Sequence, residues 1–121
     1  MLTSLGKFLR KIRIDHGEVL KNMADKLGVT VSYLSAVENG KKRMPSSWNN
    51  RICELYKFDE NQTAAFSKAV AETENKIELD FSNATNSQKE LAVSFARKFT
   101  DFDDRQLQKI FDLIRKGNND K

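Results

Sequence analysis

Proline, cysteine and histidine each occur once in this chain of 121 residues, and glycine only five times. Each scarcity excludes something. A single proline, Pro45, leaves most helices uninterrupted, so a mainly helical chain is expected. A lone cysteine, Cys53, forms no internal disulfide, which excludes a cross-linked secreted scaffold and favours the cytoplasm. No apolar run approaches the ~20 residues needed to cross a bilayer. The start, Met1-Leu2-Thr3-Ser4-Leu5-Gly6-Lys7, lacks the apolar stretch of a signal peptide, so no membrane partner is expected. The only histidine, His16, has no neighbouring metal-ligand cluster in sequence and reads as a cation or cap at a helix end. No catalytic constellation is present, and neither enzyme activity, cofactor nor metal is expected. Cys53 reads as core or half-buried packing rather than as a redox sensor.

What the chain does have is charge and apolar periodicity. Charged residues make up 31% and hydrophobic ones 39%, enough for a packed core beneath a wet surface. The charge is uneven. Residues 1–56 carry ten Lys/Arg against five Asp/Glu, a net of +5, whereas residues 57–121 carry eleven against twelve, a net of −1. A basic excess confined to one half is what neutralisation of phosphates requires.

The apolar spacing predicts an all-α fold. Leu5, Leu9 and Ile12, broadened by Phe8, mark a first helix from Thr3 to His16, stopped by Gly17. A second runs from Val19 to Leu27 and a third from Val31 to Asn39. After the basic loop Lys41-Lys42-Arg43-Met44-Pro45, a fourth begins near Ser46 and carries Trp48, Ile52, Leu55 and Tyr56. Asp59-Glu60-Asn61-Gln62 is a capping box opening a fifth helix through Phe66 and Val70 to Thr73. These five helices form a first domain, residues 1–73.

Within it, the segment from Met23 to Gly40 is the most informative. Gly28 supplies the positive φ of a tight turn, Thr30 caps the next helix and Gly40 ends it, while Ala24 is small enough for two helices to cross. That layout is a helix-turn-helix, whose second helix is the one placed in the DNA major groove. The string Leu27-Gly28-Val29-Thr30, followed by Tyr33-Leu34-Ser35 and Glu38-Asn39-Gly40-Lys41, resembles the phage-repressor helix-turn-helix family, the Xre and Cro class of bacterial regulators. The resemblance covers about Leu5 to Tyr56. It implies a DNA-binding transcription regulator with double-stranded DNA as partner.

Helix geometry places Thr30, Val31, Ser32 and Ser35 nearest the bases, with Ala36 one turn on. These are short side chains, with no Arg for guanine and no Asn or Gln for adenine, so direct readout is modest and DNA shape carries more. Tyr33 has two readings, a base-edge or phosphate contact and packing beside the fourth helix. Asn39, Lys41, Lys42 and Arg43 are the phosphate candidates, and the resemblance implies the same for the Asn-Gly-Lys turn; Arg51 is a weaker one. Family members commonly begin the second helix with Thr-Gln, the Gln holding a phosphate. Val19 and Leu20 stand there, so that role falls to Lys21, Asn22 or the backbone amides. The resemblance also implies a structural ion pair between Arg13 and Glu38, which fixes orientation more than it stabilises.

The remainder, residues 74–121, is expected to serve dimerisation or interaction. Ile77-Glu78-Leu79-Asp80-Phe81 alternates with period two, either as a short strand pairing with a second subunit or as an extended linker. Thr85-Asn86-Ser87-Gln88 opens an amphipathic helix carrying Leu91, Phe95 and Phe99. Asp103-Asp104-Arg105-Gln106 opens another, carrying Leu107, Ile110, Phe111 and Ile114, ended by Gly117, beyond which the chain frays. Two such helices do not bury their apolar faces alone, and pack on the first domain, on each other across a dimer, or on a partner. A homodimeric repressor on an inverted-repeat operator is the leading expectation. The alternative is an antitoxin, or a repressor inactivated by a metallopeptidase, whose tail serves a partner protein; Ala92 to Phe99 carries the latter resemblance.

Overall fold

Thr3 begins the fold. In the computed structural model, which describes residues 1–116, its hydroxyl accepts the Gly6 amide at 3.1 Å and opens α1, Ser4–Asp15. Helix α2 spans Leu20–Leu27, α3 Val31–Glu38, α4 Trp48–Leu55 and α5 Glu60–Thr73. Helix α6, Asn86–Lys98, leads through a 3-10 turn at Phe99–Asp101 to α7, Asp104–Lys116. The architecture is all-α, with no strand among the described residues.

The first five helices close around one core. Helix α1 packs on α3 and α5, and α2 packs on α3 and α4. Leu5, Leu9, Met23, Leu34 and Ile52 are fully buried, and Ala24 has the small side chain that lets α2 and its neighbours meet closely. Phe8, Phe58 and Phe66 form an aromatic cluster with ring centroids 5.5–5.9 Å apart. The end of α5 also satisfies the start of α1: the Leu5 amide donates to Thr73 Oγ1 at 3.1 Å. One orphan donor of the first turn is thereby paired.

The caps are those written in the sequence. Asp59 with Gln62, Thr85 with Gln88 and Asp103 with Gln106 each form reciprocal boxes at 2.7–3.1 Å. His16 is the C-cap of α1, its ring Nδ1–H donating to the Ile12 carbonyl at 3.0 Å. Helix α4 starts at Trp48 rather than near Ser46. Ser46 and Ser47 instead form a tight turn, in which the Trp48 amide donates to the Pro45 carbonyl at 3.0 Å. Cys53 is half-buried and donates to the Asn49 carbonyl. Burial raises its thiol pKa, which lowers its reactivity.

The chain divides into two compact units, Met1–Glu78 and Leu79–Lys121. Ile77–Phe81 is neither helix nor strand, and every regular element among the described residues is helical, so no ladder partner for it is found among them. In the second unit no residue of α6, of the 3-10 turn or of α7 is buried. Phe95 stacks on Phe99 and lies 5.7 Å from Phe102, a small cluster that leaves Leu91 about 70% exposed. Gly117, expected to end α7, and the residues after it lie outside the described residues.

Candidate nucleic-acid interface

The turn between α2 and α3 is set by Gly28, at φ 72° and ψ 30°, a left-handed conformation that costs other residues energy. The Val29 amide donates back to the Ala24 carbonyl at 3.0 Å, which closes the end of α2. Two residues later Thr30 Oγ1 accepts the Tyr33 amide at 3.0 Å and starts α3. The far end of α3 closes the same way: Gly40 takes φ 77°, and the Lys41 amide donates to the Ala36 carbonyl at 2.8 Å. Both ends are thus fixed by local hydrogen bonds before packing is counted.

Packing then decides which face of α3 is left free. Leu34, Val37 and Glu38 are buried. Thr30, Val31 and Ser32 are exposed together at the N-terminal end, whereas Ser35 and Ala36 are half-buried. Tyr33 is also half-buried, its ring edge-on to Trp48 with centroids 6.0 Å apart, so the ring packs beside α4.

Glu38 joins α3 to the rest. Its carboxylate receives a two-pronged bond from the Arg13 guanidinium, with Nη2 to Oε1 at 3.2 Å and Nη1 on Oε2. The pair is 7% and 3% exposed, and Arg13 Nη1 also lies 3.4 Å from the Met23 sulfur. The Glu38 carbonyl accepts from both the Thr3 amide, at 3.0 Å, and the Thr3 hydroxyl, at 3.1 Å. Here α1 approaches so closely that a Cβ on Gly6 would lie 2.2 Å from that carbonyl oxygen. Sequence reasoning missed this contact. The available signal was a glycine inside an amphipathic helical pattern, where it costs about 1 kcal/mol relative to alanine and so calls for a packing reason.

The basic residues after α3 divide into two sets. Lys41 and Lys42 are exposed at the closed end of the helix. Arg43 is drawn elsewhere: Nη2 donates to the Lys76 carbonyl at 2.9 Å, Nε lies 3.3 Å from Glu74 Oε1, and Glu78 is 4.0 Å away. Asn39 turns its amide back to the Ser35 carbonyl at 2.9 Å. At the start of α2, Asn22 Oδ1 accepts the Val19 amide at 2.8 Å, and Lys21 pairs with Asp25 at 3.0 Å. Arg51 donates to the Lys26 carbonyl at the end of α2.

A helix-turn-helix domain family model matches residues 4–66, more than half of the chain and the whole of α1 to α4. The chain belongs to this family. A comparison with curated proteins gives no match, and neither does one with solved structures. Helix-turn-helix domains present their second helix to DNA, which in this domain is α3. Residues 4–66 are therefore the DNA-binding part of a regulator. Among the described residues, no group of His, Cys, Asp and Glu side chains could hold a metal ion, and no helix is long and apolar enough to cross a membrane.

Proposed function

We propose that this protein is a transcription regulator of the phage-repressor class, which binds an inverted-repeat operator as a homodimer and represses from it. The observation that carries the reading is the exposed N-terminal end of α3, capped by Thr30, with exposed Lys41 and Lys42 just beyond its other end. Thr30, Val31 and Ser32 face the bases first, with Ser35 and Ala36 behind them. Val31 offers a methyl contact to thymine, and Ser32 and Ser35 donate or accept. Lys41 and Lys42 bind phosphates. Lys21, Asn22, Tyr33, Asn39 and Arg43 contribute at the edge of the interface once their present partners are exchanged.

Residues 1–73 bind DNA and residues 74–121 join two copies. Two-fold symmetry then sets the half-sites about 10 bp apart, or a multiple of it. The exposed apolar faces of α6 and α7 also suit a different occupant, a toxin or a processing metallopeptidase.

The test is light-scattering mass of the full chain, measured on the samples titrated against its own promoter DNA at two salt concentrations. A dimer whose affinity falls steeply with salt, and falls further in the Lys41→Ala/Lys42→Ala variant, supports the reading. A monomer that binds promoter and unrelated DNA alike overturns it and moves the tail to another protein.

A further inference from the structure

Helix α7 holds an unused self-complementary surface. Its apolar stripe, Leu107, Ile110 and Ile114 beside Phe111, is nowhere fully buried, and Ile114 is 71% exposed. The charges at its two ends are opposite. Asp103 and Asp104 open the helix, and Arg115 and Lys116 close it. Eleven residues separate Asp104 from Arg115. At ~100° per residue, that returns Arg115 to within about 20° of Asp104 around the helix. Both therefore flank the same edge of the stripe, and the Arg115 guanidinium lies 5.0 Å over the Phe111 ring on that edge.

From this we infer that the occupant of the stripe is α7 of a second copy, running antiparallel; the inference rests on the homodimer proposed above. In an antiparallel two-fold pair like edges meet, so Asp104 faces Arg115 of the partner subunit, and symmetry repeats the contact. In a parallel pair unlike edges meet, and the opposite edge offers Gln106 and Leu113, with no charge for either. The antiparallel pair alone combines a shared apolar stripe with two cross-subunit ion pairs. The segment Ile77–Phe81 is a poorer two-fold contact. Paired antiparallel about Leu79, it would set Glu78 against Asp80 of the partner subunit, like charges directly opposed.

Cross-linking in the full chain tests this. Cys53→Ser removes the native thiol, and Asp104→Cys and Arg115→Cys are introduced in separate chains of distinguishable mass. The two are mixed, allowed to exchange subunits and oxidised, with light scattering on the same samples. The expected result is a disulfide between unlike chains in the mixture and almost none in either chain alone. In the antiparallel pair, residue 104 lies about 16 Å from its own copy along the axis, well beyond the ~7 Å limit for a bridge. A third variant, Ile114→Cys in the middle of the stripe, meets its own copy only in a parallel pair, since the antiparallel pair sets the two about 13 Å apart along the axis; its rapid cross-linking with itself would establish a parallel pair and overturn the inference. A dimer that gives neither bridge would put the two-fold axis elsewhere, leaving the homodimer intact but not this surface. A monomer at operator-binding concentration would remove the homodimer as well.

Discussion

At the scale of single residues, the domain depends on a few close approaches. Gly6 is the sharpest. An alanine there puts a methyl group 2.2 Å from a backbone oxygen that is itself held by Thr3, so α1 must move. Gly6→Ala is expected to cost roughly 3 kcal/mol, the upper end for overpacking. Denaturant unfolding should show a lower midpoint with an unchanged slope. A second residue-scale prediction concerns Glu18, whose carboxylate accepts from the Tyr56 hydroxyl at 2.7 Å and from Lys26. Burial pushes its pKa up, but the hydrogen bonds from Lys26 and Tyr56 and the lysine charge outweigh this, and the net shift is downward from 4.5. A carboxyl with a depressed folded pKa adds stability above its unfolded pKa and loses it as pH falls through the folded value. Tyr56→Phe is therefore expected to cost about 1–2 kcal/mol at pH 7, with the gap to wild type narrowing below pH 4.5. A gap that stays constant down to pH 2 would show that Glu18 does not contribute this way. Burial, and then Glu18 itself, raise the Tyr56 pKa, so the phenol stays protonated in the fold and stability falls as pH rises beyond 10.

At the scale of elements, local signals were legible where a side chain caps a neighbouring amide. Thr30, Asp59, Thr85 and Asp103 all occupy the cap positions their spacing indicates. The exit of α4 carries no such signal. Lys57 takes φ 51°, and the Phe58 amide donates to the Cys53 carbonyl at 3.0 Å, the same closure that Gly28 and Gly40 make without a Cβ. Lys57→Gly should remove left-handed strain of about 1 kcal/mol and raise the melting temperature by several degrees. An unchanged or lower temperature would mean the greater freedom of glycine in the unfolded chain cancels the gain. The loop after α3 shows the opposite case. Lys41, Lys42 and Arg43 are adjacent in sequence and look equivalent, yet Arg43 is tied to Glu74 and the Lys76 carbonyl. That distinction depends on where α5 ends, a relation between residues about thirty apart that no local pattern carries.

For the whole molecule, the uneven charge is the property that DNA binding uses. Each phosphate neutralised releases about one counterion, so log affinity falls with log salt by about 0.9 per contact. Removing Lys41 and Lys42 together should reduce the slope by nearly two and weaken binding to all sequences alike. Ser32→Ala is expected to leave the slope unchanged and to alter preference among operators. A slope indifferent to the two lysines would place the phosphate contacts elsewhere on the domain.

Among the described residues, the sequence by itself determined the seven α-helices, the side-chain caps at Thr30, Asp59, Thr85 and Asp103, and the helix-turn-helix, because periodicity, glycine turns and capping side chains act over three to seven residues. It also set which faces are apolar, including the α6 and α7 stripes that the described chain leaves uncovered. Only the tertiary structure decided that Arg43 is tied down while Lys41 and Lys42 stay exposed, that the Glu38 carbonyl also holds the start of α1 through Thr3, and why residue 6 must lack a side chain. Those features arise where distant segments compete for the same donors, acceptors and space. Such competition is settled by the packing of whole helices, not by the pattern within any one of them.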